Sequence, residues 1–294
     1  MTESWHRIFQ SHRDLIFSVV YRMTGSYIDA EDIVHDTFIR WQSADKTKME
    51  HPKSWLVKVA TNITLDFLKS ARYKREVYAG PWLPEPYTET SEDLDKTLEL
   101  EESITTAFLI AMEKLSPLER VSFILHDIFH YSFREIASFI DQTEASCRKQ
   151  ASRARKKLSS EDYRHKLSRA EQEKYVATFY HALQKGDING LKELLTQDAI
   201  LYSDGGGVVQ AAPTPIEGRE NIIQFLCAIV APDLQKAEQL SSVEVEIREL
   251  NNQPSLLIKT TIGIQTVFQF HYQGGEVSAI FAQRNPNKLA KLMA

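Results

Sequence analysis

The sequence predicts a multidomain chain, two all-α units followed by an α+β unit, and three observations predict it. A chain of 294 residues is too long for one small domain. Helical periodicity fills two blocks, and a segment from Gly80 to Pro86 with three prolines separates them. After Ser159 the pattern changes, first to one or two helices and then to short alternating strands broken by turn residues.

In the first block, Leu15, Val19, Val20 and Met23 recur at helical spacing, and Gly25 ends the run. A second helix opens near Ser26–Asp29, where Asp29 can accept hydrogen bonds from free amides. Ile33, Val34, Thr37, Phe38 and Trp41 form its apolar face. Pro52 suits the start of a third helix, from about Ser54 to Lys74. Leu56, Ala60, Ile63 and Phe67 make one stripe on it, while Lys58, Asn62, Asp66, Lys69 and Arg72 lie on another face. Behind the prolines, the acidic run from Glu85 to Glu102 reads as a linker with a helix forming towards Leu98. The second helical block spans about Ser103 to Leu158.

The last unit opens with helices over about Ala170–Lys185 and Ile188–Leu195. Strands follow over Val243–Leu250, Leu256–Ile262, Ile264–Tyr272 and Val277–Gln283. Asn251–Pro254 and Gln273–Gly275 supply turns. Period two puts Phe268, Phe270 and Tyr272 on one side of their strand and His271 on the other.

Composition narrows the class. Apolar residues at 43% and charged residues at 26% argue against a disordered chain or a coiled coil. The longest apolar runs, such as Phe225–Val230, are too short to cross a bilayer, and Met1–Gln10 has no secretory pattern. Cys147 and Cys227 stand alone, without CxxC or histidine partners at metal spacing. They predict no disulfide framework, no metal site and no cofactor, in a reducing cytoplasm.

A net charge of −5 hides an asymmetry that bears on function. Ser132–Phe139 reads as a short amphipathic helix with Phe133, Ile136, Ala137 and Ile140 inward. Asp141-Gln142-Thr143 makes a turn, and a helix over Glu144–Lys157 restarts behind a Thr143 or Asp141 cap. Ala145, Cys147 and Ala151 can pack inward. Arg148, Lys149, Ser152 and Arg153 face outward, where cations suit guanine edges and phosphates. Arg155, Lys156 and Lys157 suit the nucleic-acid backbone. This is a helix-turn-helix, and a DNA-binding reading follows from it.

The N-terminal block specifies which kind. Tyr21-Arg22-Met23-Thr24-Gly25-Ser26, followed by Asp29 through Phe38, resembles conserved region two of extracytoplasmic-function sigma factors. So does Pro52-Lys53-Ser54-Trp55-Leu56 running into Ala60 through Asp66. Leu115 through Arg120, and on to Arg155, is similar to region four. The resemblance covers Met1 to about Ser160 in the family order. Trp82-Leu83-Pro84-Glu85-Pro86 resembles the linker of the subgroup with a SnoaL-like extension, a cone fold of helices on a sheet. Asp204-Gly205-Gly206-Gly207 and Asn285-Pro286-Asn287-Lys288-Leu289 resemble that extension's glycine motif and tail. Val208 and Asn287 depart from it, standing where lysine and aspartate are usual.

The resemblance implies four parts: residues 1–80 as region two, 81–102 as linker, 103–160 as region four and 170–294 as a SnoaL-like regulatory domain. It implies core RNA polymerase and promoter DNA as partners, with no catalytic residue. Asp29, Glu31, Asp32 and Asp36 would meet the polymerase. Lys53, Trp55, Lys58 and Asn62 would face the minus-ten element. Arg148, Lys149, Ser152, Arg153 and Arg155 would serve the minus-thirty-five element. Trp82, Leu83, Pro84, Asp204, Gly205, Gly206, Gly207, Asn285 and Pro286 would carry contacts between the extension and the sigma domains.

Alternatives stay open at this level. The extension could be an intramolecular regulator, a small-ligand sensor, or an isomerase- or hydrolase-like enzyme using Asp204, His181 or His271. Asp204 beside three glycines reads more readily as a turn residue than as a catalyst. A ligand-responsive repressor would account for the helix-turn-helix, but not for the region-two pattern or the proline segment.

Overall fold

The protein, as a computed structural model, is described over residues 2–46, 49–76, 78–88, 103–159, 167–239, 243–261 and 263–293. It folds as two compact units. The first draws on Met1–Glu76, Thr90–Ile104 and Phe108–Asp162; the second on Val77–Glu89, Thr105–Ala107 and Tyr163–Ala294.

The first unit is helical. It contains α1 (Thr2–Thr24), α2 (Tyr27–Ser43), α3 (Pro52–Glu76), most of α4 (Thr106–Met112), α5 (Pro117–Phe123), α6 (Phe133–Ile140) and α7 (Glu144–Leu158). A π turn, Ile124–Ile128, continues α5. Gly25, at φ 66°, separates α1 from α2. The cap of α2 is Ser26, whose hydroxyl accepts from the Asp29 amide; Asp29 is a donor here through its backbone, not the capping acceptor the sequence suggests.

The buried stripe of α3 also differs from expectation. Leu56, Val57, Ala60, Thr61, Thr64, Leu65 and Leu68 are buried, whereas Ile63 and Phe67 are half-buried. A stripe two residues wide follows from packing on α1 and α2 at one side and on α5 and α6 at another. The acidic run from Glu89 to Glu102, with its suggested helix, lies outside the described residues.

In the second unit, helices α8 (Arg169–Lys185), α9 (Ile188–Leu194), α10 (Arg219–Phe225) and α11 (Ala231–Gln239) pack on a six-stranded sheet. Its strands are β1 (Leu195–Asp204), β2 (Ile216–Glu217), β3 (Val243–Leu250), β4 (Gln253–Thr260), β5 (Gly263–Gln273) and β6 (Glu276–Gln283), in the order β2-β1-β6-β5-β4-β3. Only the β1–β6 pair is parallel among them. A final helix, α12 (Pro286–Leu289), continues as a 3-10 turn to Met293.

Alternation along the strands builds two cores. Val176, Phe179, Leu201, Phe268, Phe270 and Ile280 fill the side facing α8–α11. Leu250, Leu257, Ile264, Val267 and Leu289 fill the other. The β3–β4 turn is tighter than expected, with Asn251 and Asn252 at φ 52° and 54° and Gln253 already in β4. Strands β1 and β2 and helices α10 and α11 are additions to the elements read from the sequence. Thr196, Gln197 and Asp198 interrupt the apolar alternation of β1, and a register shift between Leu195 and Ile200 absorbs them.

Candidate nucleic-acid interface and the Asp204 clasp

The helix-turn-helix follows from local chemistry. Ser132 and Glu135 cap α6 reciprocally, and Asp141 ends it in the left-handed conformation at φ 51°. The Thr143 hydroxyl then accepts from the Ser146 amide and starts α7. Cys147, Ala151, Ala154 and Leu158 bury one stripe of α7. Burial pushes the Cys147 thiol up, which suits a core residue and not a reactive thiolate. Ala145 is exposed instead of inward, because it lies outside that stripe in the first turn.

Arg148, Lys149, Ser152 and Arg153 all face solvent on α7. Arg148 is steadied by Glu144 at 3.1 Å and lies over the Phe133 ring, 5.2 Å from its centroid. Arg155 differs: its guanidinium makes a two-pronged pair with Asp127, at 2.8 and 3.1 Å. Lys157 pairs with Glu119 at 2.7 Å. Two cations of the basic run therefore hold α7 to neighbouring helices.

On α3, Lys53 and Lys58 are exposed, and Trp55 is half-buried with its ring 5.5 Å from that of Trp41. The Asn62 amide donates to Lys58 O at 2.9 Å and to Phe139 O, on α6, at 2.8 Å. On α2, Asp32 and Asp36 are exposed, Asp29 is half-buried, and Glu31 pairs with Arg13 at 2.6 Å. Ile28 and Ile39, 40% and 47% exposed, flank those acids and make an apolar-acidic strip that the sequence reading missed. Its signal was present: residues 28, 32, 36 and 39 share helical spacing.

The second constellation lies wholly within the second unit. The segment read as a linker is, over residues 78–88, a packed part of that unit, with Leu83, Pro84, Glu85 and Pro86 buried. Asp204, fully buried at the end of β1, organises it. Asp204 Oδ1 accepts from the Tyr78 hydroxyl at 2.7 Å and from the Gly206 amide at 3.0 Å. Asp204 Oδ2 accepts from the Leu83 amide at 2.9 Å and from Lys288 Nζ at 2.7 Å.

Lys288 Nζ also donates to Leu83 O at 2.6 Å and sits over the rings of Trp82 and Tyr78, 4.4 and 4.9 Å from their centroids. Gln283 donates to Pro84 O at 3.2 Å, and Asn285 Nδ2 to the Tyr78 hydroxyl at 2.9 Å. Burial, then the bond to Asp204, pushes the Tyr78 hydroxyl above its ordinary range. Asn251 closes the far end, its amide donating to Tyr87 O at 2.7 Å.

Asp204 is thus a buried ionic hub rather than a simple turn residue. A side chain on Gly205 would strike Val209 O, and one on Gly206 would strike the Asn285 amide. Pro286 starts α12 behind the Asn285 cap, which brings Lys288 to Asp204. Val208 is exposed, and the Asn287 amide donates to Asn285 Oδ1. Sequence reasoning missed Lys288, Tyr78 and Gln283; Lys288 at least stands inside the tail motif.

Asp204, His181 and His271 do not converge. Among the described residues, none of them lines the cavity bounded by Leu201, Phe225 and Phe268, His181 is exposed, and His271 lies on the sheet face opposite Phe268 and Phe270. Among the described residues, no helix is long and apolar enough to cross a membrane.

Known proteins resemble this chain in sequence and in fold. The Sigma-70 region 2 family matches residues 8–73, and the Sigma-70 region 4 family matches residues 106–158. The ECF RNA polymerase sigma factor SigJ of Mycobacterium tuberculosis is 33% identical over 252 residues, 81% of this chain and 78% of its own. The chain belongs to the extracytoplasmic-function sigma factors. The probable ECF sigma factor SigI of the same organism is 26% identical over 97% of this chain and 95% of its own length. The crystal structure of SigJ superimposes with a TM-score of 0.73, covering 99% of this chain and 98% of that one, at 27% identity. This sigma factor therefore carries the expected fold class, helical sigma domains followed by a SnoaL-like α+β domain, and directs promoter-specific transcription initiation.

Proposed function

We propose that the C-terminal domain modulates this sigma factor in cis through the segment 78–88, which Asp204 and Lys288 hold. The observation that carries the reading is the burial of Asp204 with Tyr78, Leu83 and Lys288 all bonded to its carboxylate. Tyr78 lies two positions beyond the end of α3, the helix whose Lys53, Trp55, Lys58 and Asn62 would meet the minus-ten element. Holding the chain there restricts how that helix can move when it engages polymerase and DNA. The three prolines lower the ordering cost of the held segment.

In the same reading, Asp29, Asp32 and Asp36 with Ile28 and Ile39 dock on a basic, partly apolar surface of core polymerase. Glu31 contributes less, since Arg13 already compensates it. Arg148, Lys149, Ser152 and Arg153 read the minus-thirty-five element, and the protein acts in the cytoplasm with the polymerase. The test is transcription from a mapped promoter with core enzyme, comparing the full chain with its Asp204→Asn variant. A changed output with unchanged core binding supports modulation in cis, and an unchanged output with a demonstrably released segment refutes it.

A further inference from the structure

The helical side of the sheet in the second unit does not close fully. A cavity of about 240 Å³ remains, floored by Leu201, Ile258 and Phe268 and walled by Phe225 and Leu234. A void of roughly 150 Å³ suffices for benzene, so this one accommodates a molecule of about ten non-hydrogen atoms.

One end of the cavity is polar, and the strand register explains why. Ser203 pairs with Ala282, and one step beyond the Gln283–Val267 pair Arg284 lies opposite Thr266. Pairing between β4 and β5 shifts between Ile258–Thr266 and Lys259–Ile264, leaving Gln265 as the extra residue. A bulge of this kind re-aims side chains, and Gln265 and Thr266 both line the cavity despite being adjacent.

Ser203 and Thr266 line this end of the cavity and are 3% and 7% exposed. A hydroxyl on a cavity wall can donate to a ligand atom that accepts there. The fourth polar group, Arg284, offers donors only; its Nη1 donates to Gln210 O at 2.5 Å. Two hydroxyls, an amide and a guanidinium make an end that suits an acceptor-rich group, and a carboxylate accepts only.

We propose that this cavity is a binding site for a compact apolar monocarboxylate, its carboxylate at Ser203, Thr266 and Arg284 and its body against Leu201, Leu234 and Phe268. Binding stands apart from the modulatory reading, because it can occur whether or not the 78–88 segment transmits anything.

The test is calorimetric titration of the full chain with octanoate and with 3-phenylpropionate, each against its neutral amide. Both acids are expected to bind saturably, at least tenfold more tightly than the amides. Arg284→Gln should remove that preference, the loss of one ionised hydrogen bond being roughly tenfold in Kd. Ile229, 48% exposed at the cavity wall, can be enlarged without touching the core. Ile229→Trp should therefore abolish binding of all four probes in a folded protein. No saturable binding of either acid overturns the proposal. So does equal binding of acids and amides, and so does binding that Ile229→Trp leaves intact.

Discussion

Lys288 Nζ lies 2.7 Å from Asp204 Oδ2 with both side chains buried, one contributed by α12 and the other by the end of β1. Such a pair is costly to break one-sidedly, because the remaining charge stays buried. Asp204→Ala should cost roughly 3–5 kcal/mol in the second unit, and Lys288→Met a comparable amount. The double variant should cost less than the sum. A double-mutant cycle by denaturant unfolding measures it, and strict additivity would show that the two charges are not coupled.

Trp82→Ala removes one face of the aromatic bracket around Lys288. The expected cost is about 1–2 kcal/mol from lost cation–π and apolar contact. Amide exchange should rise locally at residues 78–88 while the sheet core stays protected. Unchanged protection across that segment would mean that the ring is peripheral to its hold.

Glu119 links the start of α5 to α7 through Lys157 and caps Ser116. Burial pushes its carboxyl up, but the bonds from Lys157 and Ser116 outweigh that and leave it below the ordinary carboxylate range. A depressed folded value contributes stability that is complete above the unfolded pKa, about 4.3 for glutamate. That contribution is lost as pH falls through the lower folded value. Glu119→Gln should therefore be less stable than the parent near neutral pH, with the gap shrinking as pH falls below about 4. A gap independent of pH would remove the ionised pair from the explanation.

Arg148 and Arg153 are predicted to contact promoter DNA, whereas Arg155 is committed to Asp127. Replacing a base-contacting arginine with alanine should cost roughly 1–3 kcal/mol and relax preference at one base. Arg155→Ala should instead loosen α7 by at most about 1 kcal/mol, since the pair is half-exposed. Transcription from promoters mutated base by base, alongside thermal unfolding, separates these outcomes.

The Asn62 amide nitrogen is engaged by Lys58 O and Phe139 O, so it can donate to DNA only after leaving one of them. Asn62→Ala should raise amide exchange where α3 meets α6 in the free protein and also weaken promoter opening with core enzyme. Free protein that binds promoter DNA tightly and sequence-specifically would contradict the dependence on polymerase that this arrangement predicts.

Much of the first unit was legible because its determinants are local. The α6–turn–α7 motif needed only a capping box, a residue tolerant of positive φ and a 3.6-residue stripe. Where the stripe of α3 widened, or Ser26 displaced Asp29 as cap, neighbouring helices or a single hydroxyl made the difference. The residues of the basic run look alike along the chain, and only the fold brings Asp127 to Arg155 and Glu119 to Lys157.

By itself the sequence determined the order of the domains, the helix-turn-helix, the exposed face of α7 and the motifs that hold Asp204 and Asn285. The helix-turn-helix and its exposed face depend on periodicity, capping and short-range turn chemistry, which act within about a dozen residues. The Asp204 and Asn285 motifs and the order of the sigma regions were legible through the family resemblance. The tertiary structure alone decided that Asp204 is a buried hub, that residues 78–88 pack with the C-terminal unit, and that Ser203 and Arg284 face a cavity while Asp204 and Gln283 face the other way. The hub and the packing of residues 78–88 rest on pairings more than sixty residues apart, and strand register turns alternate side chains to opposite faces of one sheet.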